Sequence, residues 1–247
     1  MIAIIQARFG SSRLPGKILT EIGGKPVLQH VIERVQKSRF VEEVMVATSI
    51  ERDNLPVLGL CADLGVRAFA GSENDVLDRY YQLAKLVKPQ YVIRVTADCP
   101  CYDPEILDAA IEKMHPTTDH MSYDETLPDG LDIEIVKFSA LEKAWQEAKL
   151  ASEREHVTLY IRNNPGAFKI QSLPYPAGDF GHMRWTLDEP EDLQLITQIF
   201  ENFASNPDFR TSDILRLFEN NPDLSKINAH IARNEGLAKS LQNDRSV

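Results

Sequence analysis

Short apolar runs alternate along this chain with stretches of helical periodicity, and that alternation leaves few folds open. "MIAIIQA" is too short to span a membrane and reads as a buried parallel strand. In "GKPVLQHVIERVQKS", Val27, Val31 and Val35 recur every four residues, as on one helix face. "VEEVMVATS", "NLPVLGLCADLG" and "VRAFAG" continue the alternation. "ENDVLDRYYQLAKLVK" then reads as a helix and "YVIRVTA" as a strand. "DPEILDAAIEKM" is a helix with Asp103 as N-cap and Pro104 at its first position. Repeated β-α-β units imply an α/β protein with a mostly parallel sheet covered on both faces. In such sheets ligands bind at the carboxyl ends of strands, where the loop after "MIAIIQA" and the "TADCP" segment both fall.

The second half changes character. "LDIEIVKF" reads as a partly alternating strand, "SALEKAWQEA" and "SEREHVTLYIRN" as helices, and "MRWTLDEPEDLQLITQIF" as a strand running into a capped helix. From Asn206 the chain turns polar. The expected organisation is a main domain over 1–205 and a short helical appendage over 206–247.

The first loop, "GSSRLPGK", resembles a Walker loop and is not one. Gly10 and Gly16 stand one residue too far apart, and Lys17 is followed by Ile18, which has no hydroxyl for Mg²⁺. Its charge pattern still points to phosphate. The chain has a formal charge of -10, yet Arg8, Arg13 and Lys17 all precede its first acid, Glu21. Strand, glycine-rich loop and helix together aim N–H groups at an anion. A solvated turn with idle basic residues is the plainer alternative.

Two carboxylates end strands on the same rim: Asp98 after "YVIRVTA" and Asp188 after "MRWTL". Such a pair facing a cationic loop suits Mg²⁺, which takes one or two carboxylates and completes its shell with water and phosphate. Two structural roles compete with this. Asp188 would cap the helix starting at Pro190, and Asp98 would cap a turn before Pro100.

The acidic balance, with no basic stripe, argues against a nucleic-acid partner, and no run is long and apolar enough for a membrane. Cys61, Cys99 and Cys101 cannot all pair within one chain, which is the expectation for reduced thiols and a cytoplasmic protein. Their spacing to His115 and His120 matches no zinc pattern, so buried thiols are expected.

"ARFGSSRLPGK" resembles the signature loop of the cytidylyltransferases that activate sugar acids, the 3-deoxy-manno-octulosonate and acylneuraminate enzymes among them. "GSENDVLDRYYQ", "VIRVTADCPCYDPEILD", "PDGLDIEIVKFSALEKAW", "SEREHVTLYI" and "LDEPEDL" extend the resemblance over most of the chain. They are most similar to the branch named for spore coat polysaccharide biosynthesis protein F. The resemblance implies a nucleotide-diphospho-sugar transferase fold, a three-layer α/β/α sandwich with a mixed, mostly parallel sheet. It implies transfer of CMP from CTP to a sugar acid with release of pyrophosphate, Mg²⁺ as cofactor, surface or spore-coat polysaccharide as destination, and a homodimer. Carried over by motif, Arg8, Gly10, Ser11, Arg13 and Lys17 would bind the nucleotide. Arg13, Lys17 and Asp98 would be catalytic, and Asp98 and Asp188 would hold Mg²⁺. Gly10 and Gly16 would let the backbone approach the phosphates.

On the sugar side, Arg154 and His156 of "SEREHVT" and Asp132 and Glu134 of "LDIEIV" are the candidates, the latter two facing one side of their strand. A salt-bridged helix surface and a solvated strand face are the alternatives. The chain has "ADCPCYDP" where better-known members carry an acidic "GDEP"-like segment, so the sugar stays open. Two rival functions remain. A glycosyltransferase of this fold would normally show Asp-x-Asp where this chain has "TADCP"; a non-catalytic nucleotide-sugar-binding module would not need Lys17 or the acids.

Overall fold

The computed structural model describes residues 1–10 and 13–247. Its first half follows the expected alternation. β1 (Ile2–Gln6) leads through two ribbon strands, β2 (Glu21–Ile22) and β3 (Lys25–Pro26), into α1 (Val27–Val35). β4 (Glu43–Ser49), α2 (Leu55–Asp63), β5 (Arg67–Gly71), α3 (Val76–Val87), β6 (Tyr91–Thr96) and α4 (Pro104–Lys113) follow. α4 starts as its sequence predicts, with Asp103 Oδ1 accepting from Glu105 N at 3.0 Å.

The second half supplies β7 (His120–Tyr123), β8 (Glu134–Lys137), α5 (Phe138–Glu147), α6 (Ala151–Glu155), α7 (Leu159–Asn163) and β9 (Ile170–Leu173). α8 (Pro190–Asn202), α9 (Thr211–Asn220) and α10 (Glu235–Gln242) complete it. Among the described residues the main sheet runs β5-β4-β1-β6-β8-β7-β9. Its first four strands are parallel, β8 is antiparallel to both neighbours, and β9 is parallel to β7. This is the mixed, mostly parallel sheet of the expected sandwich.

Strand alternation sends successive side chains of β1 to opposite faces. Ala3 and Ile5 join a core with Val31, Leu107 and Ile196 of α1, α4 and α8. Ile2 and Ile4 join another with Leu77, Leu141 and Ile161 of α3, α5 and α7. Each such buried aliphatic contributes about 1.5–3 kcal/mol. A central strand buried on both faces therefore reads as an unbroken apolar run.

Three local expectations need correction. "LDIEIVKF" is a strand only from Glu134, because the backbone around Asp129 pairs instead with the 183–185 segment. Trp185 N donates to Asp129 O at 2.7 Å and Asp129 N to Met183 O at 2.9 Å. For the same reason "MRWTL" is not a strand but meets Asp129 through a single bridge at Arg184. "SEREHVTLYIRN" breaks into α6 and α7 at His156, whose ψ of 53° is not helical. Just beyond the break, Thr158 Oγ1 donates to Glu134 Oε1 at 2.7 Å.

Residues 206–247 fold back on the main body: Phe209, Ile214 and Phe218 enter the α1/α4/α8 core. The last residues reach α6, with Ala151 N donating to Arg245 O at 2.8 Å and Val247 N to Lys149 O at 2.9 Å. Cys61, Cys99 and Cys101 are buried free thiols. Burial pushes the pKa of Cys61 up to about 11 and that of Cys101 up to about 12.

Candidate active site

The loop after β1 is shaped by Gly16. Its φ of 72° is left-handed, and a Cβ there would meet the Phe9 ring at 3.1 Å. Gly16 N donates to Phe9 O at 3.1 Å, and Phe9 N to Asn54 Oδ1 at 2.8 Å, so the loop is pinned at its neck. Gly10 has no such backbone demand; a Cβ there would meet open space. The helix read in "GKPVLQHVIERVQKS" is α1, but a single 3₁₀ turn at Lys17–Leu19 and the β2–β3 ribbon separate it from the loop. The loop's cations, rather than a helix N-terminus, therefore dominate this rim. Ser11 lies outside the described residues.

Lys17 is buried, and its Nζ donates to Asp98 Oδ2 and to Asp188 Oδ1, both at 2.6 Å. A backbone tie explains why two acids so distant in sequence meet: Leu187 N donates to Asp98 O at 2.8 Å. Burial alone would lower the Lys17 pKa, but Asp98 and Asp188 outweigh it and raise it above the ordinary lysine value. Burial would likewise raise Asp98, yet the Lys17 ammonium holds it below the usual carboxylate range.

Asp188 is not the helix cap. Its other oxygen takes Arg184 Nη2 at 3.0 Å and Arg13 Nη2 at 3.1 Å. The N-cap position is Glu189, and the capping side chain is that of Asp192, fully buried in the first turn of α8, whose Oδ2 accepts from Asp188 N at 2.9 Å and Glu189 N at 3.0 Å. Asp192 also fixes Arg184, whose Nη1 donates to Asp129 at 2.6 Å. Arg13 Nη1 further pairs with Glu189 at 3.1 Å and Glu235 at 3.6 Å. Arg8 is held by Glu73 at 3.0 Å.

These groups border two cavities. The smaller, about 280 Å³, is lined by Arg8, Gly10, Arg13, Lys17, Asp98 and Asp188, among others. The larger, about 510 Å³, shares Arg13, Thr96 and Asp188 with it and extends over β6, β8 and β7. Asp132, Glu134 and His156 line this larger cavity; Arg154 lines neither. Arg154 is held instead by Asp75, the N-cap of α3, at 2.5 Å, and donates to Trp145 O at 2.7 Å. Glu134 is a buried hub. Its Oε2 takes Arg94 at 2.5 Å, and that guanidinium overcomes the upward push of burial to hold Glu134 well below the usual range. Asp132 Oδ1 accepts from Arg233 at 2.9 Å, and His156 Nε2 lies 3.0 Å from Ser240 Oγ.

The sequence reading missed Arg94, His120, Arg184, Arg233 and Glu235, all of which border the larger cavity. A signal existed for two of them. Arg94 breaks an apolar strand, and His120 and Ser122 alternate with apolar residues in "HMSY". Arg233 and Glu235 had none, since nothing local ties the C-terminal segment to this cavity.

Comparison with known proteins places this geometry in a family. The family model described as Cytidylyltransferase matches residues 2–228. Spore coat polysaccharide biosynthesis protein SpsF of Bacillus subtilis is 35% identical over 229 residues, covering 90% of this chain and 95% of the relative. The 8-amino-3,8-dideoxy-manno-octulosonate cytidylyltransferase of Shewanella sp. is 30% identical over 223 residues, covering 88% and 83%. Among solved structures, a cytidylyltransferase from Leptospira borgpetersenii superposes with a TM-score of 0.85 at 32% identity, covering 91% of this chain and 95% of that one. With a match to nearly the whole chain and a shared sandwich, this protein belongs to the cytidylyltransferase family, a family of nucleotidyltransferases.

Proposed function

We propose that the protein transfers CMP from CTP to a hydroxyl of a sugar acid, giving a CMP-sugar and pyrophosphate. The observation that carries this reading is the Lys17 ammonium clasped by Asp98 and Asp188 beside the junction of two cavities. The smaller cavity suits the triphosphate, and the larger the acceptor. An acceptor hydroxyl at the junction attacks the α-phosphorus and gives up its proton to solvent while the bond to pyrophosphate breaks. Negative charge grows on the leaving oxygens, where Arg13 and Lys17 stabilise it more than in the ground state. Arg13 presents a planar fork and Lys17 a point charge.

The residues also fit Mg²⁺. Asp98 and Asp188 present hard oxygen donors to one point, the number of carboxylates Mg²⁺ commonly takes. Among the described residues no group of three or more His, Cys, Asp or Glu is arranged to hold a metal, so no richer cage competes. Bound there, Mg²⁺ would neutralise charge on the phosphates. Asp98 and Asp188 would then exchange the Lys17 ammonium for the metal and free Lys17 for the triphosphate.

The family assignment and the sugar-acid activity named for the Shewanella relative support this substrate class. A place in surface or spore-coat polysaccharide synthesis, in the cytoplasm and as a homodimer, accompanies the proposal. Among the described residues no helix is long and apolar enough to cross a membrane. The test incubates the protein with CTP, ATP, GTP or UTP, Mg²⁺, and a panel of sugar acids and neutral sugars, and measures pyrophosphate. Release that requires both CTP and a sugar acid is expected. No release with CTP and any acid, or equal release with neutral sugars, overturns it.

A further inference from the structure

His120 opens β7 and is fully buried, yet neither ring nitrogen has a hydrogen-bond partner in the protein. Nε2 stands 3.6 Å from Glu134 Oε1, beyond hydrogen-bond reach. Glu134 is already committed, to Arg94 through Oε2 and to Thr158 through Oε1. A polar ring buried without partners is costly, and in native proteins it asks for an explanation. His120 is one of the residues lining the 510 Å³ cavity.

The sheet register shows what that cavity rests on. Ile4, Arg94, Glu134, Ser122 and Ser172 form one row across β1, β6, β8, β7 and β9. His120, two residues from Ser122, lies on the same face. The row is apolar at β1, under α3, and polar from β6 outward, where the cavity covers it. Register also sets distance. His120 pairs with Val136, and Val136 with Val92, two strands away and four residues before Thr96. At about 4.8 Å per strand and about 3.3 Å per residue, His120 lies on the order of 16 Å from Thr96. Thr96 belongs to the junction with the phosphate side. His120 is therefore too far away to touch the attacking hydroxyl.

We propose that His120 is a specificity-determining residue that hydrogen-bonds a distal hydroxyl of an extended, polyhydroxylated acceptor acid; this rests on the proposed cytidylyl transfer. Neutral imidazole has one donor and one acceptor nitrogen, and a hydroxyl can answer either. An acceptor without that hydroxyl leaves the ring buried and unpaired, and sites built to hydrogen-bond a hydroxyl reject such analogues strongly.

The test labels the protein with ¹⁵N-histidine and assigns His120 by its loss in His120→Asn. The probes are 3-deoxy-manno-octulosonate and N-acetylneuraminate, each beside a homologue shortened at the far end of its chain. At least one full-length acid should move the His120 ring signals, and its shortened homologue should not. In His120→Phe, which keeps a planar ring but removes both nitrogens, KM for that acid should rise at least tenfold, with KM for CTP within twofold of wild type. Wild type and variant should use the shortened acid equally. An unmoved ring at saturating full-length acid, or an unchanged KM for it in His120→Phe, overturns the proposal. Ring signals that move without any pyrophosphate release keep the subsite and remove the transfer reaction. Transfer with unmoved rings does the reverse.

Discussion

The two ends of the site are built in opposite ways. The proposed phosphate end draws Arg8, Gly10, Arg13 and Lys17 from one loop and adds Asp98, just after β6, and Asp188, just before α8. The proposed acceptor end takes side chains from β6, β7, β8, the α6–α7 break and the C-terminal segment. One is a contiguous motif closed by a backbone tie; the other is a polar sheet face roofed by distant pieces. The family match ends at residue 228, before Arg233 and Glu235, which line only the acceptor end. Under the proposed function the contrast separates chemistry from selectivity: the loop end would serve the reaction, and the dispersed end would choose its acceptor.

The sharpest way to break this separation is at the carboxylates. Asp98→Asn and Asp188→Asn should each lower kcat at least about a hundredfold, with the double variant scarcely worse, because groups acting as a unit are non-additive. Excess Mg²⁺ should rescue only in part. An active, Mg²⁺-responsive Asp188→Asn enzyme would remove the paired site, and the cap offers no escape, because Asp192 performs it.

Lys17→Ala and Arg13→Ala come next. Each should reduce kcat/KM for CTP by more than about tenfold, since a charge-assisted contact is worth about 1.5–3 kcal/mol. Lys17 also has a stability role that its loop position hides, for its loss leaves Asp98 and Asp188 facing each other. Its raised pKa contributes stability present below the unfolded value near 10.5 and lost as pH rises through the folded value. The depressed Asp98 contributes stability present above about 3.8 and lost as pH falls through its folded value. Urea unfolding across pH should show both limbs in the wild type, and Lys17→Met should flatten the alkaline one.

At the acceptor end, Arg233→Ala should raise KM for the acceptor about three- to tenfold and leave KM for CTP unchanged. Its guanidinium clamps the C-terminal segment to Asp132 and to the Glu125 and Leu127 carbonyls. Equal effects on both substrates would merge the two ends. The smallest effect is expected at Arg154. Because it pairs with the α3 cap and lines neither cavity, Arg154→Ala should cost about 1 kcal/mol of stability in urea unfolding. Its acceptor KM should stay unchanged, and a raised one would bring Arg154 back to the sugar.

Legibility follows the same division. β1, α3, β6 and α4 were readable because their cores lie along single elements: Ile2 and Ile4 against Ala3 and Ile5, or Asp103 before Pro104. "MRWTL" and "LDIEIVKF" misled because their alternation is real, but the first meets only Asp129 through a single bridge and the second pairs as a strand only from Glu134. The helix break at His156 and the bond from Thr158 to Glu134 just beyond it are announced by no local pattern.

By itself the sequence determined the α/β class, the parallel half of the sheet and a cationic first loop, because periodicity and local charge act between near neighbours. Only the tertiary structure decided that Lys17 sits between Asp98 and Asp188, that Asp192 frees Asp188 from capping, and that His120 lines a cavity. Those relations depend on strand order and on backbone ties between residues some ninety positions apart, such as Leu187 to Asp98. Such partners are chosen by packing of the whole chain, and no window of the sequence contains both sides of the bond.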